Sequence, residues 1–178
     1  RQIDIYIGLR PDRESDTFRY RELELVPPVV LCSADHPLVG QGPISIETLK
    51  AYSVIGGDVP DWFLWGIMEA YPETFPDIST LRDTFLTSQG LGLLRQLLLL
   101  SNAVATLPEF IVKNEIEAGK VCKLDIEGWP YKKRTIPGVA AWLNQRPVPP
   151  AAHQLLSHVQ MVLRYAVNEF RKDAGLDQ

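Results

Sequence analysis

The chain contains little cysteine and little histidine, which excludes several kinds of site. Its 178 residues include two cysteines, Cys32 and Cys122, which lie far apart and form no C-x-x-C motif. A disulfide framework or a cysteine-based zinc site needs more thiols, so we expect two buried thiols, as suits a reducing cytoplasm. Of the three histidines, His36 lies in a predicted turn, and His153 and His158 do not share a helix face. We therefore expect surface or turn histidines and no metal site.

Neither sign of charge is concentrated in this sequence. Lysine and arginine number 18 against 22 for aspartate and glutamate, which leaves a net charge of −4. Such a surface repels phosphate backbones, and the one basic cluster, at 132–134, fits a solvated loop better than a nucleic-acid contact. No apolar run approaches the length that spans a bilayer, and no signal-peptide pattern opens the chain. We expect no membrane partner.

Strong catalytic signatures are also missing. The sequence has no G-x-S-x-G, no H-E-x-x-H and no phosphate-binding G-x-x-x-x-G-K-[ST]. The segment from Gly90 to Arg95 begins like a dinucleotide-binding fingerprint, but Arg95 stands where the third glycine must allow close packing of helix on strand. We therefore expect no catalytic residues and no cofactor.

What the sequence does contain is an alternation of strand and helix patterns. Short apolar runs bounded by turn residues predict strands, and Ser45, Pro60, Gly119 and Gly175 mark helix ends. The predicted strands are 3–9, 29–32, 53–55, 80–86, 104–107, 121–124 and 139–143. The predicted helices are 45–50, 61–71, 90–100, 108–118 and a long final helix from residue 150 to Gly175. This order indicates an α/β fold with mostly parallel sheets.

Two turns that follow predicted strands are candidates for ligand binding. Thr87 and Ser88 lie between a predicted strand and a helix, where free N–H groups and two hydroxyls suit an anion. Helix capping explains the same residues. Gly56 and Gly57 follow another strand, and glycine there either lets the backbone approach a ligand or simply makes the turn before Pro60.

The order of four segments resembles the effector-binding domain of LysR-type transcriptional regulators. An apolar strand runs into His-Pro-Leu at 29–38, and Pro-Ile-Ser with a leucine follows at 43–49. A small-residue turn, a buried strand and Leu-Pro come at 101–108, and the opening strand at 3–9 ends in Gly-Leu. Each segment is common by itself, but their order and spacing together are typical of that family.

The resemblance implies a two-subdomain fold of the periplasmic-binding-protein-like type 2 class, with a hinge cleft as the ligand site. Regulatory subdomain I would comprise residues 1–44 and 137–178, and regulatory subdomain II residues 45–136. Counting back from the His-Pro-Leu turn, Ser33 takes the place of a hydroxyl that contacts the effector in the family; satisfying its own turn is the alternative. Thr106, in a buried strand, either lines the cleft or bonds to a backbone partner.

The expected function is a cytoplasmic, ligand-sensing regulatory domain that binds a small-molecule effector, of which a small organic anion is one candidate. The resemblance implies a homodimer or tetramer, with contacts from helix 61–71 or the final helix. It also implies DNA binding through an N-terminal winged helix-turn-helix that these residues do not include, so we expect a fragment of a longer regulator. A periplasmic solute-binding protein of a transport system and a cytosolic enzyme on a similar scaffold are the alternatives.

Overall fold

The computed structural model describes residues 5–176. In chain order the elements are β1 (Tyr6–Leu9), β2 (Phe18–Leu25), β3 (Val29–Ser33), α1 (Ile46–Leu49), β4 (Val54–Gly56), α2 (Asp61–Ala70), α3 (Ile78–Asp83), β5 (Phe85–Thr87), α4 (Leu91–Leu100), β6 (Val104–Leu107), a 3₁₀ turn (Glu109–Val112), α5 (Lys113–Glu117), β7 (Val121–Lys123), β8 (Ile136–Leu143) and α6 (Pro150–Asp173). None of the described helices combines the length and the apolarity needed to cross a membrane.

Contacts divide the chain into two compact units. Unit 1 takes the residues up to Pro27 and those from Tyr131 onward, and unit 2 is Pro28–Pro130. This division places β3 in unit 2, whereas the subdomain boundaries expected from the sequence placed it in subdomain I. The reason is that β3 forms its ladders with β6 and β7, which both belong to the middle of the chain.

Unit 1 is built on a three-stranded antiparallel sheet in the order β1-β8-β2. Its central strand β8 buries Val139, Ala140 and Ala141, and α6 contacts β2. Gly138 is needed in β8, because a Cβ at this position would lie 2.6 Å from the side chain of Leu25. On the helix, Leu156 and Val167 are buried, so both α6 and β8 contribute apolar side chains to the interior of unit 1.

Unit 2 contains a five-stranded mixed sheet in the order β5-β4-β6-β3-β7. Strand β4 pairs parallel to β5 and β6, whereas β3 pairs antiparallel to β6 and β7. The predicted α/β class is therefore confirmed, but the expectation of mostly parallel sheets is wrong. Strand direction depends on how the chain returns to the sheet, which apolar patterns do not record.

Side chains that alternate along the strands of unit 2 supply two cores, one on each face of the sheet. On one face Leu31, Ile55 and Ala105 pack with Leu94 and Leu98 of α4. On the other face the residues that pack together include Val30 and Val104 from the strands, Leu49 from α1, Leu38 and Ile126. The sheet is therefore covered on both sides, as its continuous apolar strands predict.

Most of the predicted elements are present. The strand 104–107 is confirmed to the residue, and Ser45 caps α1 by accepting a hydrogen bond from the Thr48 N–H at 3.2 Å. The glycines at 119 and 175 have positive φ angles of 67° and 66°, as their predicted positions at helix ends require. The first residues of the predicted strand 3–9 lie outside the described part of the chain.

Three predictions were wrong or incomplete. The segment 80–86 was predicted as a strand, but α3 occupies most of it, because the side chain of Asp77 accepts a hydrogen bond from the Thr80 N–H at 2.8 Å and begins a helix. The predicted helix 108–118 is a 3₁₀ turn followed by the short α5. Strand β2 was not predicted, because half of its residues are charged.

Candidate functional site

Three of the predicted site residues lie side by side where parallel strands of unit 2 end. Gly56 of β4 is paired with Thr87 of β5 on one side and with Thr106 of β6 on the other. We call this row, with Gly57 and Ser88 that follow it, the carboxyl edge. In open α/β sheets ligands bind outside the carboxyl ends of parallel strands, so the position suits a binding site.

The two glycines of the carboxyl edge serve different purposes. Gly56 is buried, and a Cβ there would lie 3.3 Å from the Thr106 carbonyl oxygen, so packing favours glycine. A Cβ on Gly57 would have no neighbour within 4 Å among the described residues, and its φ angle is not in the left-handed region. Neither packing nor backbone conformation therefore demands glycine at 57, and the open space beside it leaves the backbone accessible.

Hydrogen bonds hold together the loops after β4 and β5. The Ser88 N–H donates to the Gly56 carbonyl oxygen at 3.0 Å, and the Gln89 amide donates to the Asp58 carboxylate at 3.1 Å. Neither Asp58 nor Gln89 was singled out from the sequence. A polar residue two positions after each strand was the available signal, but it could not reveal that the two loops meet.

Helix α4 begins at the carboxyl edge without a side-chain cap. Its N-cap is Gly90, whose N–H donates to the Ser88 hydroxyl oxygen at 3.0 Å, and within the described residues the helix start has no side-chain cap hydrogen bond. The first N–H groups of a helix have no partner within the helix and carry the positive end of its dipole. This end of a ten-residue helix can therefore receive a negatively charged or strongly accepting group.

Ser33 is not part of this group. It ends β3, which runs antiparallel to β6, so its carboxyl end lies at the opposite margin of the sheet from Gly56. Ser33 is paired with Val121 of β7, and its carbonyl oxygen accepts a hydrogen bond from the His36 N–H at 3.1 Å. This bond involves the backbone of Ser33 and not its hydroxyl, so the role of the hydroxyl stays a prediction.

His36 is buried, with 2% of its surface exposed, although the sequence suggested a surface or turn histidine. Its Nδ1 accepts a hydrogen bond from the Leu38 N–H at 3.1 Å, and Nε2 lies 3.2 Å from the Asn102 carbonyl oxygen. Because a carbonyl only accepts, Nε2 is the donor in this hydrogen bond. The ring also contacts Tyr52, with centroids 4.6 Å apart. His36 thus joins two turns and has a structural role.

The two cysteines lie directly opposite each other on β3 and β7, which their separation in the sequence did not suggest. Cys32 is fully buried and both thiols are free. Burial, and secondarily the neighbouring Cys122, raises the pKa of the Cys32 thiol to about 11. Cys32 therefore stays protonated at neutral pH and is a poor nucleophile.

Comparison with solved structures shows the same fold in regulatory proteins. The chain aligns with the CrgA regulatory domain of Neisseria meningitidis at 22% identity, covering 90% of this chain and 75% of that one, with a TM-score of 0.58. It aligns with the Synechocystis CcmR regulatory domain, solved in complex with 2-PG, at 16% identity, with coverages of 90% and 73% and a TM-score of 0.56. These likenesses show the fold.

A third structure is the PA01 protein of Pseudomonas aeruginosa, assigned to the LysR family, with 19% identity and a TM-score of 0.58. The alignment covers 90% of this chain but 53% of that protein, so the chain spans about half its length. No match to a curated protein sequence reaches significance.

The sequence itself matches the LysR substrate binding domain family over residues 1–164. That match takes in every strand of both units and the greater part of α6. It also confirms the fold class expected from the order of the sequence motifs, which is that of the periplasmic-binding-protein-like type 2 proteins. The chain therefore belongs to the LysR substrate binding domain family.

Proposed function

We propose that this chain senses a small-molecule effector for a LysR-type transcriptional regulator, and that the effector contacts the carboxyl edge of unit 2. One observation carries the proposal. The paired row of Thr87, Gly56 and Thr106 stands beside the uncapped start of α4. Family membership favours this function over solute binding for transport.

The groups at the carboxyl edge suit a small organic anion. Hydroxyls of Thr87 and Ser88 can donate, and the first N–H groups of α4 add donors aligned with the positive end of the helix. No lysine or arginine belongs to the segments 56–58 and 87–90. Recognition here therefore relies on directed hydrogen bonds, which favours a planar carboxylate or a phosphate over a bulky anion held by charge alone.

The carboxylate of Asp58 further restricts which anions suit the carboxyl edge. Its carboxylate is held by the Gln89 amide at the same edge, so a negative charge already lies close to the proposed site. An effector must therefore place its anionic group at the start of α4 and turn a neutral or positive part toward Asp58. Both requirements together predict a small acid with a second polar group, rather than a polyanion.

Regulation requires that the effector bind one arrangement of the protein more tightly than another. A ligand shifts an equilibrium between two arrangements of a protein only when it binds one of them more tightly. We propose that effector binding changes how copies of the regulator pair, as dimers or tetramers. DNA would be contacted through a winged helix-turn-helix outside these residues, in the cytoplasm. The chain is proposed to bind and not to catalyse, because the carboxyl edge consists of two threonines, a serine and two glycines, and the neighbouring Asp58 carboxylate is held by the Gln89 amide.

The test is a binding screen of the chain by ligand-observed NMR, at ligand concentrations up to several millimolar. The panel holds small carboxylic and phosphorylated acids, 2-PG among them, each beside a neutral amide or ester analogue. At least one acid should bind and its neutral analogue should not. Binding should fall about tenfold or more in Thr87→Ala and Ser88→Ala, which each remove a donor.

Thr17→Ala and Ser157→Ala are matched controls, because each removes an exposed hydroxyl in unit 1. Both should bind like the unaltered chain. The proposal is refuted if no acid binds, if the neutral analogues bind equally well, or if the carboxyl-edge variants and the controls are indistinguishable.

A further inference from the structure

Unit 2 contains a cavity that shares only Thr106 with the proposed effector site. Its volume is about 280 Å³, and it lies between the sheet and the segment that runs from α1 through α3. Val54 and Val104 form its floor, and Ile67, Phe75 and Leu81 form its roof. These three roof residues are at most 3% exposed, so the inner wall is closed by well-packed apolar groups.

The cavity and the carboxyl edge lie at different positions along β4 and β5 and meet at Thr106. Val54 and Phe85, which line the cavity, begin β4 and β5, whereas Gly56 and Thr87 end the same strands. Thr106 belongs to both, because it lines the cavity and is paired with Gly56. An occupant of the cavity would therefore contact the strand that borders the effector site without occupying that site.

Two charged residues are among those that line the cavity. Lys50 and Asp83 line it and are exposed, while Thr84 is half-buried and its hydroxyl donates to the Leu81 carbonyl oxygen at 2.6 Å. Because Lys50 and Asp83 are exposed, we place the solvent-open mouth of the cavity beside them, whereas the buried lining residues Ile67, Phe75 and Leu81 are apolar. A charged ligand would lose hydration beside these apolar residues, so the fitting molecule is apolar with a polar group at one end only.

The volume of the cavity further restricts the class of ligand that fits it. An apolar cavity of roughly 150 Å³ stays dry and takes up benzene, because water finds too few hydrogen-bond partners there. The cavity in unit 2 is nearly twice as large. We infer that it binds a compact one- or two-ring apolar molecule bearing a single polar group, which lies toward Lys50 and Asp83. This site is additional to the proposed effector site and takes a different chemical class.

Indole is the probe, because it has two fused rings and one N–H group. Saturation-transfer NMR should show indole binding to the chain. Val54→Phe fills the floor of the cavity and should weaken binding about tenfold or more, whereas Val54→Ala enlarges it and should preserve binding. Leu100→Phe adds the same ring at an 80% exposed position in α4 and should bind like the unaltered chain.

Circular dichroism would show whether Val54→Phe folds. If it does not, NMR spectra of the methyl groups in the unaltered chain still test where indole binds. Indole should shift the methyl signals of Val54, Val104 and Leu81 before others. The inference is overturned if indole does not bind, if those signals stay in place, or if Val54→Phe binds normally. It is also overturned if Thr87→Ala abolishes indole binding while Val54→Phe does not, because indole would then lie at the carboxyl edge.

Discussion

His36 offers the sharpest test of how unit 2 is held together. In His36→Ala the buried Leu38 N–H loses its acceptor, which costs about 1–3 kcal/mol, and the bond to the Asn102 carbonyl is worth about 1 kcal/mol more. Loss of the ring contact with Tyr52 adds about 0.5–1.5 kcal/mol. We therefore expect a loss of roughly 3–5 kcal/mol in the free energy of unfolding of unit 2, a large fraction of a typical domain's stability.

Urea unfolding followed by circular dichroism measures this loss. With a urea dependence of about 1–3 kcal/mol per molar, the midpoint should fall by at least about 1 M. His36→Asn should recover part of the loss, because its side-chain oxygen can still accept from the Leu38 N–H. The matched control is His153→Ala on the exposed side of α6, expected within about 0.5 kcal/mol of the unaltered chain. A loss below about 1 kcal/mol in His36→Ala would refute the structural role.

Three further predictions concern other parts of the chain. Gly138→Ala should destabilise unit 1 by about 1–3 kcal/mol in urea, because the added Cβ meets packed atoms; an unchanged midpoint would contradict the packing. Iodoacetamide near pH 8 should label Cys122 well before Cys32, whose burial raises its pKa to about 11, and equal rates by mass spectrometry would refute this. A side-chain hydrogen bond from Arg95, with their ion pair, lowers the pKa of Glu115, so its stabilisation is present above the carboxyl's ordinary range and is lost as pH falls through the lowered value. The stability difference between the unaltered chain and Glu115→Gln should therefore shrink on acidification, and a constant difference would exclude the ion pair as its source.

Local signals in the sequence predicted the elements whose causes are local. The cap at Ser45 and the apolar run 104–107 depend on neighbouring residues, and both are found as predicted. Strand β2 escaped prediction because half of its residues are charged, and its place in the sheet comes from the ladder with β8. The segment 80–86 contains β-branched and apolar residues that suit a strand, but a cap three residues earlier begins a helix.

In the candidate site, too, single residues were predicted from the sequence, but their grouping was not. Thr87 and Gly56 were singled out separately, each as a polar or flexible residue after a strand, and parallel pairing brings them together with Thr106. Ser33 was chosen from the family resemblance, by its position before the His-Pro-Leu turn, and the antiparallel direction of β3 carries it to the other margin of the sheet. Strand direction and register depend on residues far apart in the chain, so no local pattern could separate these cases.

By itself the sequence determined the family and the α/β class, because the order of capped helices, apolar strands and glycine turns is written locally along the chain. Only the tertiary structure decided which residues meet: the row at the carboxyl edge, the opposed thiols of Cys32 and Cys122, and the cavity beneath α1–α3. The physical reason is that these groupings arise from pairing and packing between distant segments, whose geometry is settled only when the whole sheet forms.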